Sequence, residues 1–535
     1  MNDIKALNQK DKRDAENQDS LFKRLSMMDK GSFHGTTSIF LIFNLFLTLS
    51  LAIVLNIWFD EAYSLDTTSK TLEYAFSQAI GFEEQAPLYF VFLFLWRQIH
   101  DSIIWARLFS VGCVTAIVAL TPHLSRLYLK GINPMWLTAI VAFNPFLIWM
   151  ALEIRLYALS TLLATILLLL FHYAYLCESP KRVARLLYVG VALIGVYTHY
   201  FIGVLLIANG VLVLTRPSLK TKAFLTYLGD MIFVGLCFIP MALRVIRQLA
   251  NVSDNTAIAT SGVLTASQPS WIEFLLNGLK KSIGTFFFYS LPGPTPESWP
   301  IARLSIFCLF SAWVVRWRRS IKLDTWRNWG LVILILSLFV LVFTAVGQLH
   351  FRHANVLLIP ALIAWVTVFQ LPQGVWQQRS LAIGTSTLLV LSVVCLSVVY
   401  SPLAKKGDSQ RVATYLMDHE QSQQPILVFN SEVEMVLTHY YKGVNTLIPL
   451  PKKEDFTEFS VDDLVLTQPA QITEALNQQA PAFQDLWLVT DAGVLQSLPS
   501  YEDSYRILDN FVADGFQTKI DESFYGARIR LLEPK

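Results

Sequence analysis

The sequence predicts an α-helical polytopic membrane protein that ends in a soluble α/β domain, and three observations predict it. Of 535 residues, 54% are hydrophobic and only 15% charged, with a mean hydropathy of +0.46; this is too apolar for a soluble domain of ordinary make-up. About eleven apolar runs between residues 38 and 400 are long enough, or nearly so, to cross a bilayer, which takes about 20 helical residues. From residue 402 the chain turns soluble in character, and its 20 acids against 11 bases leave +11 on the remainder beneath a formal net charge of only +2. The two parts face different surroundings.

Residues 1–37 are polar and mixed in charge and read as a disordered cytoplasmic tail. The apolar run that follows is too long, and lacks the small-residue cleavage site, for a signal peptide. Runs then lie at about 38–58, 105–128, 134–152, 156–176, 185–198, 201–215, 223–243, 300–316, 329–348, 354–371 and 380–400. The pair around His199 is short for two spans and also suits one long bent helix; charge placement selects two. The run "APLYFVFLFLW" (86–96) fits an interfacial or re-entrant helix better than a span.

Lys and Arg gather in the tail and at 125–131, 179–185, 216–222 and 316–327, and the positive-inside rule puts each in the cytoplasm. Eleven spans allow this. Four segments then meet on the outer face: the first external loop (59–104), "ALEIRLYA" (151–158), "YTHYF" (197–201) and "GQLHFRHAN" (347–355). An external loop from about 244 to 299 joins them, with a Ser/Thr/Asn-rich stretch (251–270) and the aromatic "TFFFYSLPGPTPESW" (285–299) suited to a membrane surface. The expected location is the plasma membrane, the inner one in a Gram-negative cell, with the site and the C-terminal domain extracytoplasmic.

Residues 402–535 run through helix-like "SQRVATYLMDHE", strand-like "PILVFN", helix-like "EVEMVLTHYYKG", strand-like "NTLIPL", the segment "ITEALNQQ", strand-like "DLWLVTD", helix-like "SYRILDNFVADG" and a β pair around 516–532. That order is an α/β domain. The five cysteines lie in or beside apolar runs and make no disulfide framework, and no P-loop, dinucleotide fingerprint or CxxC is present.

Asp60 and Glu61 stand just past the first apolar run. Alone they read as solvated charges marking the end of a span, but Arg155, His199, Arg352, His350 and His353 fall at the same depth on the same face. Arg155 follows Glu153 by two positions, so on a helix the two would not face each other and at least one must find a partner elsewhere. A snorkelling arginine and an aromatic belt at "YTHY" are the plain alternatives. His350 and His353 suit one helical face, yet two histidines are a weak metal signal, and a divalent metal stays a minor expectation.

A carboxylate pair facing several cations at a membrane surface suits sugar transfer from a lipid-linked phosphate. A base takes the proton from an acceptor hydroxyl as it attacks the anomeric carbon. Donors hold the phosphate as charge develops on it. One base on the far face of the sugar is the inverting arrangement.

"WFDEAYSLD", "QAPLYFVF", "WARLFSV", "ALEIRLYAL", "YTHYF" and "FRHANVLLIPAL", in this order, resemble the GT-C fold membrane glycosyltransferases. The nearest group is glycosyltransferase family 39, with the protein O-mannosyltransferases and the lipid A aminoarabinose transferase. The resemblance spans most of residues 38–400, and the Asp-Glu element is its most specific part. It implies Asp60 as catalytic base with Glu61 as companion. It matches Arg107, Arg155 and Arg352 to family arginines, and these, with His199 and His353, are the expected donor-phosphate contacts. The implied donor is a polyprenyl-phosphate sugar. Two departures leave the donor sugar open: Gln85-Ala86-Pro87 replaces the family's Lys-Pro or His-Pro, and His353 stands where a tyrosine is common.

The expected function is transfer of one sugar to an acceptor hydroxyl on a glycan, lipid or protein at the outer face, with membrane lipid as surroundings and no nucleic acid as partner. A secondary transporter or lipid-linked-sugar flippase is the rival, but it would place polar groups near the midplane in two related halves, and no halves correspond here. An external binding module on a membrane anchor is a third reading; eleven spans exceed what an anchor needs.

Overall fold

The computed structural model describes residues 37–177, 180–214, 221–261, 300–346, 351–456, 464–491 and 499–535, with positions 35, 272 and 276. Nearly all of the expected tail, the aromatic stretch 285–299 and His350 lie outside the described residues.

The membrane part begins with α1 (Thr37–Val54). Three short helices follow, α2 (Phe59–Thr67), α3 (Leu72–Ile80) and α4 (Leu88–Arg97). The chain continues through α5 (Ile103–Tyr128), α6 (Met135–Ala142), α7 (Pro145–Ala151), α8 (Tyr157–Phe171), α9 (Arg182–Val196), α10 (Ile202–Leu214) and α11 (Thr221–Ser261). After α12 (Pro300–Trp317) and α13 (Leu323–Val346), a 3-10 turn (Phe351–Leu357) leads into α14 (Leu358–Phe369), and α15 (Val375–Tyr400) closes the part.

Among the described residues seven helical segments are long and apolar enough to cross a membrane. Three of the four expected runs outside these seven have local causes. The run at 134–152 breaks at Asn144-Pro145, where the Asn144 side chain accepts from the N–H groups of Phe146 and Leu147 (3.0 and 3.1 Å) and proline opens the new helix. The pair around His199 is two helices of 15 and 13 residues. The run at 86–96, which stands outside the eleven, is the ten-residue α4, shorter than a bilayer needs. The expected loop from 244 is helical as far as Ser261: polar composition alone does not stop a helix, and no Gly or Pro falls between 241 and 261.

Burial separates an inner from an outer ring. The segment Arg352–Phe369 has 89% of its apolar window buried, whereas α1 and the first part of α11 (Lys222–Ile246) have 17%, so Arg352 opens the most enclosed of the seven segments.

The C-terminal domain holds α16 (Ser409–His419), β1 (Ile426–Phe429), α17 (Ser431–Thr438), β2 (Leu447–Leu450), α18 (Ala470–Gln479), β3 (Leu486–Asp491), α19 (Pro499–Gly515), β4 (Phe516–Phe524) and β5 (Ala527–Pro534). The sheet order is β2-β1-β3-β5-β4, parallel in β2-β1-β3 and antiparallel in the rest. Successive β1 residues feed two cores: Leu427 and Phe429 join Ile472, Leu476 and Leu508 on one face, while Ile426 and Val428 join Val412, Leu416 and Trp487 on the other. Helices therefore cover both faces, as the continuous apolar "ILVF" requires.

The domain is fastened to the corner between α1 and α2. The Asn56 amide donates to the Gly407 carbonyl (2.6 Å) and accepts from the Lys405 N–H (2.8 Å). The Ile57 N–H donates to the Tyr440 hydroxyl (2.7 Å) and the Tyr63 hydroxyl to Glu432 (3.2 Å). Rings of Tyr63, Phe82 and Phe456 close the seam at 5.1 to 6.1 Å.

Candidate active site

Charged side chains converge where the C-terminal end of α1 meets the N-terminal ends of α5 and α8. They form two layers. The inner layer is fully enclosed and begins with the orphan carbonyls that every helix leaves at its C-terminal end. Arg107, on α5, donates to the carbonyls of Ala52 (3.0 Å), Leu55 and Asn56 (2.6 Å) and to both oxygens of Glu61 (3.3 and 3.2 Å). Glu61 also accepts from the backbone N–H of Trp58 (3.3 Å), as a third-position carboxylate does at a helix start, and from that of Ile154 (3.1 Å).

Lys405 completes this layer from the linker after α15. Its ammonium donates to Glu61 (2.7 Å), the Leu152 carbonyl (2.7 Å) and Glu153 (3.0 Å). Glu153 takes its other bond from the Trp58 indole N–H (2.6 Å). Burial works to raise the Glu61 carboxyl, but Arg107 and Lys405 outweigh it and hold it below the ordinary carboxylate value. Glu153 goes the other way: burial pushes it up, and Lys405 only partly offsets that.

The outer layer is partly open. Asp60, one residue before Glu61 on α2, accepts from Arg352 at 2.5 Å, and their side chains keep 12% and 29% of their surface. Arg155 lies alongside, donating to the Asp60 carbonyl (3.2 Å), the Ser64 hydroxyl (3.1 Å) and Glu83 (2.7 Å). Burial raises the Glu83 carboxyl above its usual value against the pull of Arg155. The Nε of Arg155 is buried with no partner among the described residues.

His199 sits in the turn between α9 and α10. Its Nδ1 accepts from the Phe201 N–H (3.5 Å), which assigns the proton of the neutral ring to Nε2, a buried atom without a partner among the described residues. Burial lowers its pKa to about 3, so the ring is neutral at physiological pH. His353 stacks on Phe201 (5.0 Å) and meets His199 edge-on (6.2 Å). An apolar cleft of about 420 Å³ lies between α9, α10 and α11, lined by residues that include Val196, Gly203, Leu206, Tyr227 and Phe238.

Asp60, Arg155 and Arg352 thus meet in one cluster, with His199 and His353 side by side on a second wall. Glu61 and Arg107 stand behind Asp60, and at 0% exposure each has no surface to offer a substrate in this conformation. The Glu153–Arg155 pair does look elsewhere, to Lys405 and to Glu83. Sequence reasoning missed Glu83, Lys405, Lys406 and Glu432. A signal existed for the lysines: two basic residues just after the last span, on the face expected to be outside, run against the positive-inside rule. Among the described residues no group of three or more His, Cys, Asp or Glu is arranged to hold a metal ion.

No protein-family model and no curated protein matches the chain. Solved structures do. ArnT from Cupriavidus metallidurans in the apo state aligns at TM-score 0.52 and 11% identity, over 92% of this chain and 97% of that one. ArnT from the same organism bound to undecaprenyl phosphate aligns at 0.48 and 10%, over 93% and 98%. The archaeal oligosaccharyltransferase AglB from Archaeoglobus fulgidus, in complex with an inhibitory peptide and a dolichol-phosphate, aligns at 0.44 and 9%, over 91% and 74%. The chain is similar in fold to ArnT, a helical membrane part followed by a mixed five-stranded sheet, and at such identity the likeness concerns fold alone.

Proposed function

We propose that this chain is an integral-membrane glycosyltransferase that moves a sugar from a polyprenyl-phosphate donor to an acceptor hydroxyl at the outer face of the membrane, with inversion. The observation that carries the reading is the partly open Asp60 carboxylate. It is held by Arg352 beside Arg155, with buried donors of Arg155 and His199 left unpartnered among the described residues. Unpaired buried donors are costly, and an anion is the partner they suit.

On this reading one oxygen of Asp60 stays with Arg352 and the other takes the acceptor proton as the hydroxyl oxygen attacks the anomeric carbon. The bond from that carbon to the phosphate oxygen breaks, and polyprenyl phosphate leaves with the electron pair. Arg352 serves both partners: an incoming phosphate shares its guanidinium with Asp60. Arg155 supplies a second fixed charge, and the neutral His199 a hydrogen bond rather than a charge. Glu61 and Arg107 hold the α2 corner and position Asp60 from behind. The prenyl chain takes the apolar cleft between α9, α10 and α11.

The test uses the purified protein in nanodiscs with labelled polyprenyl-phosphate sugars extracted from the native membrane, following release of polyprenyl phosphate. Asp60→Asn keeps the size and one acceptor oxygen, so it should fold normally while turnover falls by about 10²–10⁴-fold. Turnover at the wild-type rate in that variant would refute the assignment.

A further inference from the structure

The linker "KKG" after α15 puts two lysines side by side with opposite fates. Lys405 turns inward to Glu61 and Glu153. Lys406 turns outward, with its ammonium 3.2 Å from the centroid of the Trp58 ring and 5.1 Å from that of Phe59. It is exposed. The charges that act on it, strongest first, are Asp60, Glu153, Arg352 and Glu432, so it overlooks the outer layer of the site. Arg107, Arg155, Arg352 and Lys405 are each committed to a carboxylate. Among the described residues around the site, Lys406 is the basic side chain that makes no ion pair.

Its placement is enforced by the C-terminal domain. Lys406 has φ +50, a left-handed conformation that a non-glycine residue adopts only when its surroundings require it. The turn between β4 and β5 supplies that requirement: the Asp408 N–H donates to the Tyr525 carbonyl (2.9 Å), and Gly526, at φ +64, lies so close that a Cβ there would overlap the Lys406 carbonyl. A hairpin at the far end of the domain therefore braces one exposed ammonium above Asp60.

Resting on the reading above, we infer that Lys406 is the phosphate-binding residue that the C-terminal domain brings to the site, its ammonium contacting the phosphate of the polyprenyl-phosphate donor. A cation resting on aromatic faces holds its position yet keeps its three donors for a ligand. The same chemistry would also attract anionic lipid headgroups, and the experiment separates the two sources.

Full-length protein is placed in phosphatidylcholine nanodiscs and titrated with undecaprenyl phosphate, with undecaprenol as the uncharged control. Lys406→Ala should weaken undecaprenyl phosphate binding about 10- to 100-fold, the effect of one charge-assisted hydrogen bond, and leave undecaprenol binding and thermal stability unchanged. Lys406→Arg should restore most of the loss. Gly526→Ala, which keeps the lysine and displaces its carbonyl, should weaken phosphate binding in the same sense. If wild type fails to prefer the phosphate over undecaprenol, the transferase reading itself fails. If wild type prefers it and Lys406→Ala binds equally well, this inference alone is overturned. If phosphatidylglycerol nanodiscs erase the difference between wild type and Lys406→Ala, Lys406 serves lipid headgroups in general and the donor assignment is overturned.

Discussion

Replacing Lys405 by Met would keep the stem and remove the charge that the whole inner layer shares. The ammonium makes three bonds of 2.7, 2.7 and 3.0 Å to Glu61, the Leu152 carbonyl and Glu153. Without it Glu61 retains Arg107, but Glu153 has only the Trp58 indole and faces Glu61 with no cation between them. Breaking one side of a buried ion pair costs about 3–5 kcal/mol, because the uncompensated charge stays buried. Equilibrium unfolding at pH 7, followed by tryptophan fluorescence during a titration with SDS, should show a loss of that size. Adding Glu153→Gln should recover part of it, since the stranded charge is then gone; a coupling of about 0.5–3 kcal/mol is the range for groups in direct contact.

The pH dependence gives an independent check of the sign. Glu153 is already held above its ordinary value by burial, and loss of the cation drives it higher. Stability tied to a raised carboxyl is present when the group is protonated and is lost as pH rises through its folded value. The deficit of Lys405→Met should therefore shrink as pH falls from 7 towards 5. The wild-type Glu61 contribution runs oppositely: its depressed carboxyl contributes at neutral pH and loses that contribution only below the usual carboxylate range. A Lys405→Met protein within about 1 kcal/mol of wild type, or a cost that simply adds to that of Glu153→Gln, would refute the account of a shared buried cation.

Two further outcomes follow from the outer layer and the seam. Glu432, on α17, has its pKa pushed up to about 7, first by burial and then by Asp60, so it costs the folded state stability that is fully present below pH 4.5 and gone above about 7. Glu432→Gln should thus be more stable than wild type at pH 8 by about 3 kcal/mol, the value of a 2.5-unit shift, and equal to it near pH 4; parallel stability curves for the two proteins would contradict this. Arg155→Lys keeps the charge, but a point ammonium does not replace a guanidinium bonded to Glu83, Ser64 and the Asp60 carbonyl. Turnover should drop about 10-fold or more, the worth of one charge-assisted bond, with the fold intact by circular dichroism; undiminished turnover would remove Arg155 from the site.

Much of this architecture is legible in the sequence because it follows from periodicity. Every expected element of the C-terminal domain, from "SQRVATYLMDHE" to the final β pair, has its counterpart in α16 to β5. What periodicity could not give was length: a proline at 145 divides one apolar run, and a polar stretch after 243 stays helical. In the site, Asp60, Arg155 and Arg352 could be grouped from topology, since residues at the same ends of successive helices share a face. The division into layers could not. Asp60 and Glu61 are adjacent letters, yet one helical step of about 100° turns one to the open side and the other to Arg107 and Lys405. Partners as distant as Glu61 and Lys405, 344 positions apart, carry no local signal at all.

That separation in sequence bears on what the C-terminal domain does. A domain merely tethered to the membrane part would meet it through surface side chains. Here the linker supplies the inner layer's lysine, Tyr440 accepts from the Ile57 N–H, and the Asn56 side chain is satisfied by the backbone of Lys405, Gly407 and its own neighbour. Asn56 and Ile57 lie between α1 and α2, immediately before the helix that carries Asp60. Burial of an unpaired amide or carboxylate is expensive, so the corner that aims Asp60 has its low-energy form only with the domain seated. Position of the carboxylate and docking of the domain are, in energetic terms, one equilibrium, and a change anywhere along the linker from 401 to 408 is felt at Asp60 without touching it.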